Sequence, residues 1–524
     1  MKPGLNGKYT LSNQYGIKRC RFRIFLADAD DRRAHADAQV RYACAVSVAG
    51  DFVMALDEKR NVLPATLTLD ALRALYLERP FAISDVVEEV LARVAAAQDP
   101  AIFISLVAPD DFRRAANNLL ERVPDPSLLP LWGVPFAVKD LIDVTGLDTT
   151  AACPAFAYRP EKDATIVARL KAAGALVLGK TNLDQFATGL NGTRSPYGAP
   201  RSVFNADYVS GGSSSGSAVA VAAGLVPFAL GTDTAGSGRV PAAFNNVVGI
   251  KPTPGLLSAT GVIPACQSLD CVSILSASVA DGVTIRRVAE AFDPSDAYSV
   301  RGRQEPLPSC LRVGVLTMDE REFYGDEESA ALYAGSIETL RGLGAEIVLF
   351  DYRPFRDIGA LLYDGPWLAE RLAAVGGFVD THPQDVDPAV RTLLENAHRL
   401  SAVDAFAGMH RLKELSRTVE SEWAKADILL LPTSPTIYKV KDMRADPIRL
   451  NARFGHYTNF VNFLGCSAIA IPAGFRGDGL PFGVTLVAPP FRDDALAVPA
   501  AAMHAASKCG AGCARVSLKF PPLS

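Results

Sequence analysis

The sequence predicts an α/β fold, a mixed and twisted β-sheet surrounded by α-helices. Short apolar runs alternate with helix-length segments along most of its 524 residues, as expected where a sheet must bury both faces under helices. Hydrophobic residues make up 49% and charged residues 21% of the chain, with 41 glycines and 35 prolines. That balance excludes disorder and supplies the tight loops that an α/β sheet needs.

Taken in order, residues 1–27 carry Lys2, Lys8, Lys18, Arg19, Arg21 and Arg23 with no acid before Asp28. Residues 1–53 therefore read as an appended extension. A targeting peptide and a start codon upstream of a native Met54 both account for it, and the second is favoured. Residues 54–495 read as one discontinuous domain, opening with two amphipathic helices: TLDALRALYLERP from Thr68, then Ser84 as N-cap before Val86, Val87, Val90, Leu91 and Val94. Strands are expected at 134–138 (VPFAV), 175–178 (ALVL), 226–230 (VPFAL), 428–431 (ILLL) and 468–472 (AIAIP). The apolar run 217–231 contains Gly224 and Pro227 and falls short of the ~20 residues that cross a bilayer, so it reads as buried core, not as a membrane segment. A charged helical stretch follows the PLP at 306–308 and runs to about His410, an insertion placed to cap a site. Residues 496–524 read as an irregular or truncated tail.

A net charge of −4 supplies no field for a polyanion, which excludes nucleic acid and favours a small-molecule partner. The nine cysteines are odd in number and scattered, fitting a reducing cytoplasm better than a disulfide framework. Only Cys509 and Cys513 look pair-like; with six dispersed histidines they make a poor metal site, and none is expected.

The chemistry concentrates in residues 209–239, VSGGSSSGSAVAVAAGLVPFALGTDTAGSGR. Glycine lets backbone N–H groups approach a substrate, and such groups stabilise an acyl-transfer oxyanion; Thr234, Ala235, Gly236 and Ser237 are the candidate donors. A Gly/Ser loop before a helix also serves merely to turn the chain or to hold phosphate. Against that bland reading, Ser237 follows Ser213 by 24 residues and Lys139 closes the upstream strand GVPFAVKD. A rival lies in the same letters, since residues 212–216 match the G-x-S-x-G elbow. That motif needs a preceding strand, and residues 202–210 (SVFNADYVS) read as loop.

GVPFAVKD, GGSSSGSA and GTDTAGSGRVPAAFNNVVGIKPT resemble the lysine, serine-rich and nucleophile segments of the amidase signature family, in order and near its spacing, over roughly residues 65–490. The resemblance implies that fold, no cofactor, a homodimer, and a Ser-Ser-Lys triad. In it Ser237 is nucleophile, Ser213 the bridging serine after a cis peptide, and Lys139 the terminal base. Such a lysine must lose about three pKa units, ~4 kcal/mol, to be neutral near pH 7, which only a dry pocket achieves. Ala235, the pair Asn245-Asn246 and the stretch to Ser273 look most like the allophanate-hydrolysing members. The implied substrate is then allophanate, a small anionic amide, with Tyr363 and Arg371 of LLYDGPWLAERL receiving its carboxylate. The eight-residue spacing places both on similar faces of one helix, two turns apart. Those members continue into a further C-terminal domain that these residues do not include.

Overall fold

The computed structural model describes Leu63 and residues 66–514, all within one compact unit, Leu63–Ser524. The expectation for residues 1–53 lies outside the described residues.

Eleven strands form one mixed sheet: β1 Phe103–Leu106, β2 Pro135–Lys139, β3 Leu176–Thr181, β4 Phe228–Thr232, β5 Val248–Lys251, β6 Val272–Ser276, β7 Arg312–Leu316, β8 Glu346–Phe350, β9 Ile428–Pro432, β10 Ser467–Phe475 and β11 Pro481–Ala488. Their order is β1-β3-β2-β4-β6-β5-β10-β11-β9-β7-β8. β2 runs parallel to β3 and β4, and β7 runs parallel to β8 and β9. The strands between these two parallel groups pair antiparallel. β2, β4, β5, β6, β9 and β11 are buried at every residue. Strands covered on both faces read as unbroken apolar runs, which is why β2, β4 and β9 were visible as such.

At the start of the unit, the Thr68 hydroxyl accepts the Ala71 N–H at 3.2 Å and caps helix Leu69–Glu78. The second helix, Ala82–Ala96, begins two residues before Ser84, with Phe81 at the N-cap. The expected Ser84 cap is therefore corrected: the turn after Pro80 already donates Ala82 and Ser84 N–H groups to Arg79 and Phe81 carbonyls. The apolar run 217–231 is core as expected, forming most of helix Ser215–Ala222 and leading into β4, with every residue of both buried. Gly216 lets that helix lie on the backbone of Ile102 and Asn182, where a Cβ would clash.

Two expectations require correction. The insertion after residue 306 is not only a helical cap, because β7 and β8 lengthen the sheet. Each is five residues long and sits among charged helices; β7 is interrupted by Gly314, and the run IVLF of β8 falls within the stretch read as helical, although it is as apolar as ILLL. The anticipated boundary at 495/496 is crossed by helix Asp493–Ser507, which accommodates Pro499 and buries Leu496, Ala497, Ala500 and Met503. Pro499 reads as a helix breaker in sequence; burial of one face outweighs it here. Beyond the helix, Gly512 and Cys513 donate N–H to Asn246 and Ala222 carbonyls at 2.8 and 2.9 Å. The Asn246 amide reaches back to the Cys509 and Gly512 carbonyls at 3.2 Å. Cys509 is buried and Cys513 exposed.

Asn246→Ala removes two buried side-chain hydrogen bonds and places alanine at φ 54°. It is expected to lower stability by about 1–3 kcal/mol in urea unfolding. An unchanged midpoint contradicts the docking of residues 509–513.

Candidate active site

Lys139 is the last residue of β2, and the parallel pairing of β2 with β4 brings it beside Thr232 at the end of that strand. Its side chain is fully buried. The amine lies 2.8 Å from Ser213 Oγ, 3.0 Å from Ser214 Oγ and 2.8 Å from Thr232 Oγ1. Burial lowers its pKa to about 7, while the charges of Asp184, Asp233 and Asp270 act the other way. No carboxylate touches it among the described residues, so desolvation wins. A neutral amine has two N–H donors and one lone pair, so one of the three hydroxyls donates to it. The Ser214 hydroxyl already donates to the Thr232 carbonyl at 3.1 Å, which leaves Ser213 or Thr232 as donor.

The peptide bond between Gly212 and Ser213 is cis. The Ser213 carbonyl accepts the Asp184 N–H at 3.1 Å, and the Asp184 carboxylate accepts the N–H groups of Asn191, Gly192 and Arg194 at 3.0–3.1 Å. Asp184 thus ties the serine-rich loop to residues 191–194. No strand leads directly into this loop, so the structural context of the rival elbow motif is missing.

Ser237 sits between β4 and helix Arg239–Phe244, on a loop that folds around Asp233. That carboxylate accepts the N–H groups of Gly236, Gly238 and Arg239 at 2.8, 3.1 and 3.2 Å. It also takes a two-point contact from the Arg239 guanidinium at 2.9 and 2.8 Å. Burial pushes the Asp233 carboxyl up, but the charge and hydrogen bonds of Arg239 outweigh it and hold the group below its ordinary range. Here one of the four expected oxyanion donors is corrected: the Gly236 N–H is already spent on Asp233. The amides of Thr234, Ala235 and Ser237 have no intramolecular acceptor among the described residues, and the loop is braced from behind by Thr458, whose hydroxyl donates to the Ala235 carbonyl at 2.6 Å.

The structure brings Lys139 and Ser213 into direct contact, and Ser237 adjoins them through the Ser214 N–H, which donates to the Ser237 carbonyl at 3.2 Å. The Ser237 hydroxyl faces the Gly189 carbonyl at 3.4 Å. No Ser213–Ser237 hydroxyl hydrogen bond forms among the described residues.

Arg371 is 2% exposed and donates to the Thr188 hydroxyl at 2.8 Å, one residue from Gly189. It has no ion-pair partner among the described residues. Tyr363 is half-buried and packs on the apolar cluster containing Leu190 and Ala235. The expected single helix is corrected, since Tyr363 ends Arg353–Asp364 and Arg371 lies in Trp367–Thr381. Pro366 lacks the N–H and disfavours helical backbone at Gly365, so the chain breaks there. Sequence reasoning missed Thr232, Asp233 and Arg239, although all three stand in GTDTAGSGR. Thr188 carries no local signal at all.

Sheet, serine-rich loop and buried lysine together define an α/β enzyme built for cleaving amides. The chain belongs to the amidase family, hydrolases of carbon–nitrogen bonds, whose model (Amidase) matches residues 85–497. It is 45% identical over 398 residues to urea amidolyase of Saccharomyces cerevisiae, across 75% of this chain and 22% of that one. It is 35% identical to a glutamyl-tRNA(Gln) amidotransferase subunit of Symbiobacterium thermophilum, across 82% of this chain and 94% of that protein. Among solved structures, allophanate hydrolase of Kluyveromyces lactis superimposes with a TM-score of 0.82 and 38% identity, covering 87% of this chain and 76% of that one. The chain thus spans 22% of the length of the urea amidolyases it matches.

Asp233→Asn leaves the buried Arg239 charge without its counter-ion and is expected to cost about 3 kcal/mol or more, read as a fall in the urea midpoint. Retention of full stability contradicts the role given to this pair.

Proposed function

We propose that this chain hydrolyses the terminal amide of allophanate through Ser237, Ser213 and Lys139. The observation that carries the reading is the desolvated Lys139 amine, with a pKa of about 7, in contact with the Ser213 hydroxyl. A base of that pKa is half deprotonated at neutral pH, where general-base catalysis is most effective.

The Ser237 hydroxyl turns from Gly189 toward Ser213 and its oxygen attacks the amide carbon. Its proton passes to Ser213, whose own proton passes to Lys139. The oxyanion meets the N–H groups of Thr234, Ala235 and Ser237. Collapse breaks the C–N bond, the leaving nitrogen takes the proton back through Ser213, and ammonia departs. Water then attacks the acyl-enzyme, delivering its proton by the same route, and Ser237 is regenerated with N-carboxycarbamate as product. No cofactor enters these steps. Support for an anionic substrate comes from Arg371, a buried cation without an acid partner among the described residues, with Tyr363 as the second carboxylate ligand.

A second reading, an amidase for another small amide or a glutamine-cleaving component of an amidotransferase, is favoured by the similarity to the Symbiobacterium thermophilum protein over 94% of its length. The odd number and scattered placing of the nine cysteines support a cytoplasmic setting; no helix among the described residues is long and apolar enough to cross a membrane. The homodimer rests on family resemblance alone.

Ammonia release from allophanate, malonamate, glutamine and acetamide by purified protein separates the two readings. Ser237→Ala is expected to lose about 10³-fold or more in kcat. Arg371→Ala is expected to lose roughly 30-fold in kcat/KM for allophanate, about 2 kcal/mol, while acetamide is little affected. Glutamine as the preferred substrate overturns the allophanate assignment. In pH profiles, kcat/KM is expected to rise through about pH 7 and then level, because Lys139 accepts a proton only once its own is lost. A rate independent of pH between 5 and 9 contradicts Lys139 as the base.

A further inference from the structure

The carboxylate of Glu370 converges on one short loop. It accepts the Ser268 N–H at 2.7 Å, the Ser268 hydroxyl at 2.6 Å and the Cys266 thiol at 3.0 Å. Glu370 precedes Arg371 on helix Trp367–Thr381, and it is the nearest acid in sequence that could neutralise that guanidinium. Three donors from the loop hold it away instead. The same loop continues to Asp270, which accepts the N–H groups of Ala265 and Cys266 at 2.7 and 3.0 Å and the Thr234 hydroxyl. A continuous chain of contacts therefore runs from the helix carrying Arg371, through Glu370, residues 266–268 and Asp270, to the loop carrying Thr234 and Ser237. The turn that follows the helix is tied separately: Gln185 donates to the Asp385 carbonyl at 2.9 Å and accepts the Asp387 N–H at 2.7 Å. Releasing Glu370 thus loosens the end that holds Arg371, where the Arg371–Thr188 hydrogen bond and the Trp367–Phe463 contact remain.

We infer that Glu370 is a positioning residue that sets the separation between Arg371 and the Thr234–Ser237 loop, and so fixes the length of anionic amide the site accepts. The inference rests on the reading of Arg371 as the carboxylate ligand. A cation held at one distance from the reacting serine favours a single spacing between carboxylate and amide, because misplacement by an ångström is felt strongly in the transition state. Once the clamp is released, Arg371 still provides its charge, but only its Thr188 contact is left to hold it at one distance.

The test compares malonamate, succinamate and acetamide, which differ in the methylenes between carboxylate and amide and in having a carboxylate at all. Wild-type protein is expected to prefer malonamate to succinamate, and Glu370→Ala to shrink that ratio by about tenfold while acetamide cleavage changes by less than about threefold. Glu370→Gln retains an acceptor for the Ser268 N–H and should restore part of the ratio; Ser268→Ala should lose part of it. An unchanged ratio in Glu370→Ala overturns the inference, as does a parallel fall in acetamide cleavage, which marks a merely structural role. Arg371→Ala is the control. If it leaves the preference for anionic amides over acetamide intact, the carboxylate reading of Arg371 fails and takes this inference with it. If it abolishes that preference while Glu370→Ala keeps the length ratio, only the role of Glu370 fails. Calorimetric titration of malonate and succinate into the same proteins gives the ratio without turnover, with the same two outcomes.

Discussion

Withdrawing one lysine amine from water is the constraint on which this molecule turns. A neutral Lys139 requires that β2 be covered on both faces and flanked by β3 and β4, that its polar neighbours be hydroxyls, and that acids be kept at a distance. Each condition is met by a different part of the chain. The sheet supplies the burial, Ser213, Ser214 and Thr232 supply the hydroxyls, and Asp184 and Asp233 have their carboxylates occupied elsewhere. Had either acid turned to the amine, the ion pair would favour the protonated form.

Those two acids do related structural work. Asp184 gathers three backbone N–H groups of residues 191–194, and Asp233 gathers three of residues 236–239 together with the Arg239 guanidinium. Buried loops are costly because their backbone polar groups need partners, and a carboxylate that accepts several N–H groups satisfies them in a small volume. The glycines in these loops permit the close turns; the acids hold them. The accounting also decides which amides remain for a substrate, since an N–H that serves Asp233 is unavailable to an oxyanion.

The side proposed to bind an anion is assembled differently. Arg371 arrives from an insertion far along the chain, yet it rests against Thr188, next to the carbonyl that faces Ser237. No carboxylate pairs with it among the described residues, and the adjacent Glu370 is occupied by Ser268 and Cys266. The proposed cleaving residues and the residues proposed to select what is cleaved are thus carried by separate segments, joined by a few side-chain hydrogen bonds.

How much of this was legible depends on the range of the interaction. Continuous apolar runs such as VPFAV and ILLL revealed buried strands, because burial on both faces is written into local composition. The lysine, the serines and the glycine loop were legible because their residue types are unusual for their positions. Pro366 and Gly365 in LLYDGPWLAERL also announced a helix break locally, and spacing alone misled where that signal was outweighed. By itself the sequence determined the sheet-forming runs, the clustering of Ser213 and Ser237 with Lys139 upstream, and the presence of an arginine in the insertion. Only the tertiary structure decided that β7 and β8 join the sheet, that Gly236 serves Asp233, and that Arg371 meets Thr188 across 183 residues. Those outcomes depend on which backbone donors and acceptors remain after distant segments pack, and no local pattern records that.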